Sequence, residues 1–191
     1  MNYKDRLMAA IEAVDYKAVD CFVDALLRVY LEDATVYVAG NGGSAATASH
    51  MATDLGVGSH LRGAGLRMIC LSDNTSVVTA ISNDQDFEEV YSLQLRNMAK
   101  VGDLLVLISA SGDSPNLIHA AAVGSSMKLE VVALTGFTGG KLMELADVVI
   151  HVPSAVGDYG PVEDVHLSIN HVVTELFRER VNPLERENLR G

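Results

Sequence analysis

Apolar residues recur near every 3.6 positions through the first 32 residues, at Leu7, Ile11, Val14, Ala18, Cys21, Phe22, Leu26 and Val29, and predict a helical segment over 1–32. The pattern then changes. Short, unbroken apolar runs predict strands at Thr35–Ala39, Leu66–Leu71, Leu104–Ile108, Glu130–Leu134 and Val148–Val152. Helices are predicted between them at Ser44–Leu55, Val77–Ser82, Phe87–Ala99 and Pro115–Met127, with a last one following Gly160-Pro161 to about Arg180. Unbroken rather than alternating runs mark strands buried on both faces, as in a parallel sheet covered by helices. Five such strands separated by helices predict a three-layer, doubly wound α/β fold with a five-stranded parallel sheet. One domain takes in 1–191, made of the helical segment 1–32, an α/β core over 33–180 and a polar, loose tail over 181–191. The stripe from Leu7 to Val29 lies outside the layers of this fold and calls for an interface to bury it.

Composition narrows the possibilities. With 49% hydrophobic residues, 16 glycines and only 4 prolines, the 191-residue chain is expected to pack a core and not to be disordered. A formal net charge of −11 excludes a general nucleic-acid binder, which needs a basic face. It leaves room for one small phosphate, because backbone N–H groups hold such an anion without a cation. No apolar run reaches the roughly 18 residues of a membrane span. The first ten residues carry Lys4, Asp5 and Arg6 without the apolar centre of an export signal. A soluble, cytoplasmic protein is expected, with Cys21 and Cys70 as reduced core thiols.

Two strand-to-helix turns carry the chemistry, because ligands of such sheets bind beyond the carboxyl ends of the strands. The first is Gly40-Asn41-Gly42-Gly43-Ser44. Its glycines let backbone approach a ligand, and the helix that follows offers unpaired N–H groups. A tight βα loop would use the same residues. The second is Ser109-Ala110-Ser111-Gly112-Asp113-Ser114. Helix capping accounts for one serine, Ser114, but not for three. Three hydroxyls with free N–H groups at one helix start make a cradle for an anion, and phosphate is the natural guest. No lysine follows the glycines, so this is not a nucleotide P-loop.

His50 and Asp54 are i and i+4 on one helix and share a face. They read as a metal pair, a base with its orienter, or a surface pair, and the spacing alone favours the surface pair. The last helix adds Glu163, Asp164, His166, Asn170 and His171. Glu163 suits a helix start on dipole grounds alone.

Taken in order, Gly40-Asn41-Gly42-Gly43-Ser44-Ala45, His50, Asn83-Asp84, Ser109 to Ser114 and Glu163 to His171 resemble the sugar isomerase (SIS) family, and within it the sedoheptulose-7-phosphate, or phosphoheptose, isomerases. The resemblance covers nearly the whole chain. It implies substrate contacts at Asn41, Gly42, Gly43, Ser44, Asn83, Asp84 and Glu163, and a phosphate cradle at Ser109, Ala110, Ser111 and Ser114. It implies a zinc ion held by His50, Asp54, Glu163 and His171, with Asp54 and His171 as the proton-transfer pair. It also implies a homotetramer with shared sites. The chain departs from the family pattern at four places. Asp54 stands for a glutamate, Glu163 for a glutamine, Gly58 for an arginine and Gly160 for an aspartate.

The expected reaction moves one proton between C1 and C2 of a ketose phosphate through an enediol. It would convert sedoheptulose 7-phosphate to D-glycero-D-manno-heptose 7-phosphate, with a carboxylate and an imidazole as base and acid. Three alternatives stay open: an isomerase of a longer ketose phosphate such as octulose 8-phosphate, a non-catalytic sugar-phosphate sensor, and an interaction protein like the DnaA initiator-associating relatives.

Overall fold

The computed structural model describes residues 2–57 and 65–188. Five parallel strands form one sheet: β1 (Thr35–Gly40), β2 (Arg67–Cys70), β3 (Leu104–Ser109), β4 (Glu130–Phe137) and β5 (Val148–Pro153), in the order β2-β1-β3-β4-β5. The helices are α1 (Tyr3–Glu12), α2 (Tyr16–Leu31), α3 (Gly43–Gly56), α4 (Thr75–Asp84), α5 (Ser92–Met98), α6 (Pro115–Ser126), α7 (Leu142–Leu145) and α8 (Tyr159–Asn188). The expected doubly wound α/β fold is therefore present.

Alternate strand residues feed two cores. Val36, Val38, Leu104, Val106, Ile108, Val132 and Leu134 point into a core shared with α1, α2, α3 and α8. Tyr37, Ala39, Leu105, Leu107, Val131 and Ala133 point into the other, shared with α5, α6 and α7. The three central strands, β1, β3 and β4, are buried on both faces, which is why they read as unbroken apolar runs. The edge strand β2 departs from that expectation. Its residues alternate between exposed and half-buried, since only one neighbour and one helical layer cover it.

The N-terminal segment is two helices, not one. α1 ends at Glu12, and Asp15 caps α2 by accepting from the Lys17 amide at 2.9 Å. The α2 part of the apolar stripe is met within the chain, while Leu7 and Ile11 on α1 are half-buried. Phe22, Val23, Leu26 and Val29 are fully buried within the chain, in the core that α8 and the sheet share. The stretch expected as one helix over 87–99 is a 3₁₀ turn, Phe87–Glu89, followed by α5. The four-residue α7 was too short to show a period. The tail is helical for most of its length: α8 runs on through Val181, which is fully buried, and past Pro183 to Asn188. Cys21 is exposed and Cys70 half-buried, so Cys21 is not a core thiol. Among the described residues no helix is long and apolar enough to cross a membrane.

Candidate active site

β1 and β3 are neighbours, with Gly40 beside Ile108, although β2 intervenes in the chain. The strand order reverses here, and a crevice opens at the carboxyl ends of the two strands. The glycine turn and the serine turn therefore stand side by side.

The glycine turn is held from below. The Gly40 carbonyl accepts from Ser72 Oγ at 2.9 Å and lies 2.6 Å from Tyr91 Oη. Burial pushes the Tyr91 phenol above its ordinary pKa, which keeps it a neutral donor. The Asn41 amide pairs with Asn116 in two reciprocal bonds of 2.9 Å. Asn116 is itself buried, so Asn41 is fixed by a partner on α6. Gly42 takes φ +55° with ψ −122° as it starts α3, a conformation open only to glycine. Sequence reading passed over Ser72, Tyr91 and Asn116. Only Asn116, a polar residue directly after Pro115, carried a local signal.

The serine turn lends its oxygens to its own backbone. Ser109 Oγ accepts from the Gly112 amide at 3.0 Å and Ser111 Oγ from the Asp113 amide at 3.2 Å. Acting as acceptors there, both keep their hydroxyl protons for another partner. Ser114 sits at the N-cap of α6, but its side chain makes no cap bond. Gly112 has φ +71°, and a Cβ there would meet the Gly139 carbonyl oxygen at 1.9 Å. Asn41, Ser44, Ser109, Ser111, Ser114 and Glu163 line one cleft. Hydroxyl protons and the start of α6 make its floor a donor surface suited to an anion.

A second group of side chains lies further along α3 and α8. His50 Nε2 is 3.1 Å from Asp54 Oδ2, and His171 Nε2 is 3.9 Å from the same oxygen. The two imidazoles meet edge to face with ring centroids 5.1 Å apart. Ligating atoms of His50, Asp54 and His171 all lie within 4.8 Å of one another. Two imidazoles and a carboxylate this close fit a divalent cation of the zinc type and leave coordination positions open.

Glu163 is not in this group. It is eight residues from His171 on the same helix, about 12 Å along the axis, and its carboxylate lies against Gly43. The four-ligand set His50, Asp54, Glu163 and His171 is thus divided in the single chain: three residues cluster, and the fourth lines the serine cleft. Asn83 and Asp84 are exposed at the end of α4, where Asn83 Nδ2 donates to Asp84 Oδ1 at 2.8 Å. They belong neither to the serine cleft nor to the His-Asp-His group.

His166 is structural. It is buried, its Nε2 donates to the Thr135 carbonyl at 3.2 Å, and burial lowers its pKa to about 4. At Gly160 a Cβ would meet the Tyr3 ring at 2.9 Å, so α1 fills that space. Gly58 lies outside the described residues.

With this geometry in view, comparison with known proteins is specific. The sequence profile of the SIS domain matches residues 1–136. A phosphoheptose isomerase of Aneurinibacillus thermoaerophilus is 35% identical over 181 residues, covering 95% of this chain and 89% of that protein. One from Mycobacterium bovis is 38% identical over 152 residues, covering 80% and 76%. Among solved structures, the phosphoheptose isomerase GmhA from Neisseria gonorrhoeae superposes with a TM-score of 0.85 at 30% identity, covering 93% of this chain and 95% of that one.

Proposed function

We propose that this chain, which belongs to the SIS domain family, is an aldose–ketose isomerase acting on sedoheptulose 7-phosphate. The observation that carries this reading is a serine cleft walled by Ser44 of α3 and Glu163 of α8, with a His-Asp-His group further along the same two helices, in a chain similar over nearly its whole length to proteins named phosphoheptose isomerase.

In the proposed mechanism Ser109, Ser111 and Ser114 anchor the phosphate, and Asn41 and Ser44 line the start of the sugar path. Asp54 takes the C1 proton of the ketose. His171 serves the oxygens, protonating the C2 carbonyl oxygen and accepting the C1 hydroxyl proton, and the carried proton returns to C2. No atom is gained or lost. From Ser44 to Asp54 along α3 is about 15 Å of helix axis. A phosphate anchored at the serine cleft therefore needs a long acyclic chain to bring C1 and C2 to the carboxylate, which favours a heptose over a triose.

His50, Asp54 and His171 would hold the metal. When bound, zinc supplies Lewis-acid polarisation of the carbonyl. The homotetramer with shared sites also belongs to this proposal. A neighbouring subunit would bring an exposed pair such as Asn83 and Asp84 to a cleft that its own chain does not give it.

The test is aldose formation from a series of C5 to C8 ketose phosphates, with and without chelator. Turnover greatest with sedoheptulose 7-phosphate supports the reading. Turnover greatest with an octulose phosphate moves the substrate, and binding without turnover of any of them establishes a sensor.

A further inference from the structure

Asp54 Oδ2 has a third neighbour besides the two imidazoles. Asn170 Nδ2 donates to it at 2.8 Å, the shortest of the three contacts. Asn170 is on α8, one residue before His171, and is wholly buried. An amide carried out of water at such a position is costly unless it is hydrogen-bonded. Its Nδ2 has this bond, whereas its Oδ1 finds no partner among the described residues. The bond to Asp54 therefore explains why an asparagine occupies a buried position on α8. It also fixes which way the amide faces, since only the NH₂ can donate to a carboxylate.

The bond matters because Asp54 is short. A carboxylate on a single methylene has two torsions, and its oxygens reach a shared cation only over a narrow range of them. Asn170 constrains that range from the buried side, while His50, one turn back on α3, and His171 face the open side. A neutral amide donor also leaves the carboxylate its charge. We propose that Asn170 is the positioning residue of the cation site: its buried side-chain amide holds the Asp54 carboxylate in the orientation that binds a divalent cation together with His50 and His171. The inference rests on the metal-site reading above, and not on the identity of the sugar.

The experiment titrates Co²⁺ into chelator-stripped full-length protein, followed by calorimetry and by the visible absorption of the bound ion. Orienting partners of metal ligands typically contribute about 10–100-fold in affinity. Asn170→Leu is expected to weaken Co²⁺ binding by that factor and to alter the absorption band. Asn170→Ser, too short to reach Asp54, is expected to do the same should the leucine variant fold poorly. Ile169→Val is the control. Ile169 is buried on α8 beside Asn170, packs in the apolar core and does not line the cleft of His50, Asp54 and His171. It is expected to bind Co²⁺ as the parent does. Adding Asp54→Glu to Asn170→Leu lengthens the carboxylate and is expected to recover part of the affinity. A folded Asn170→Leu with parental Co²⁺ affinity overturns the proposal, as does an equal loss in Ile169→Val or a parent protein that takes up no Co²⁺. None of these measurements involves turnover, so a parent protein that binds Co²⁺ in an Asn170-dependent way but isomerises no sugar would retire the enzymatic reading alone.

Discussion

The Glu163 carboxylate rests on the first turn of α3 so closely that a Cβ on Gly43 would lie 2.7 Å from its Oε2. A residue of the last helix thereby sets the wall of the cleft whose floor is the serine turn. Gly43→Ala is expected to displace the far end of Glu163 without unfolding the domain, because the flexible side chain yields before the backbone does. The reading is a raised KM for the sugar phosphate with a melting temperature close to that of the parent. A lost fold would show that Glu163 is rigidly held.

Glu163→Gln removes a negative charge from the cleft proposed for a phosphate dianion. Like charges in one site disfavour each other, so sugar-phosphate affinity is expected to rise and isomerase activity to be kept or increased. Calorimetric titration of sedoheptulose 7-phosphate measures the first. A clear loss of affinity would mean that the carboxylate accepts hydrogen bonds from the sugar hydroxyls.

Ser111→Ala and Ser114→Ala each delete a hydroxyl proposed to donate to the phosphate. Hydrogen bonds to a charged group contribute about 1.5–3 kcal/mol each, so affinity should fall roughly tenfold or more per substitution. Ser114 lies at an N-cap, where serine to alanine ordinarily costs about 1 kcal/mol of stability. Its side chain makes no cap bond here, so the melting temperature should hardly change. Unchanged binding in the double variant would remove the serine turn from the phosphate site.

Asp54→Asn and His171→Ala test the proposed proton-transfer pair. General acid–base groups typically contribute about 10²–10⁴-fold each, so turnover should fall by that order in both. Phosphate binding, read by titration, should persist. Parental rates in His171→Ala would place the acid elsewhere.

His166 gives stability a pH dependence of definite sign. Burial depresses its pKa from 6.5 to about 4, so as the pH falls through this window the unfolded chain takes up a proton that the folded chain refuses. Stability should therefore decline from about pH 6.5 down to about pH 4, by an amount of order a few kcal/mol. Chemical denaturation across that range measures it. His166→Gln, which keeps a donor for the Thr135 carbonyl, should flatten the decline; an unchanged slope would assign it to other groups.

The sequence by itself determined the layered sheet and the place of the two turns. Unbroken apolar runs at Thr35–Ala39, Leu104–Ile108 and Glu130–Leu134 could lie only in strands covered on both faces, and glycine and serine clusters directly after two of them could lie only at the strands' carboxyl ends. His50 and Asp54 were legible as a pair because i and i+4 share a helix face. Contacts between residues far apart in the chain were decided by the tertiary structure. Asn170, 116 positions from Asp54, meets it only because α3 and α8 pack side by side. Asn116 grips Asn41 across the β1–β3 junction. The α2 part of the N-terminal stripe, Phe22, Val23, Leu26 and Val29, is buried by α8 and the sheet of its own chain. The separation of Glu163 from His171 was legible in their spacing on one helix, but that Glu163 lines the serine cleft was decided by the packing of α8. Periodicity fixes which face of an element a residue takes; the packing of elements fixes what that face meets.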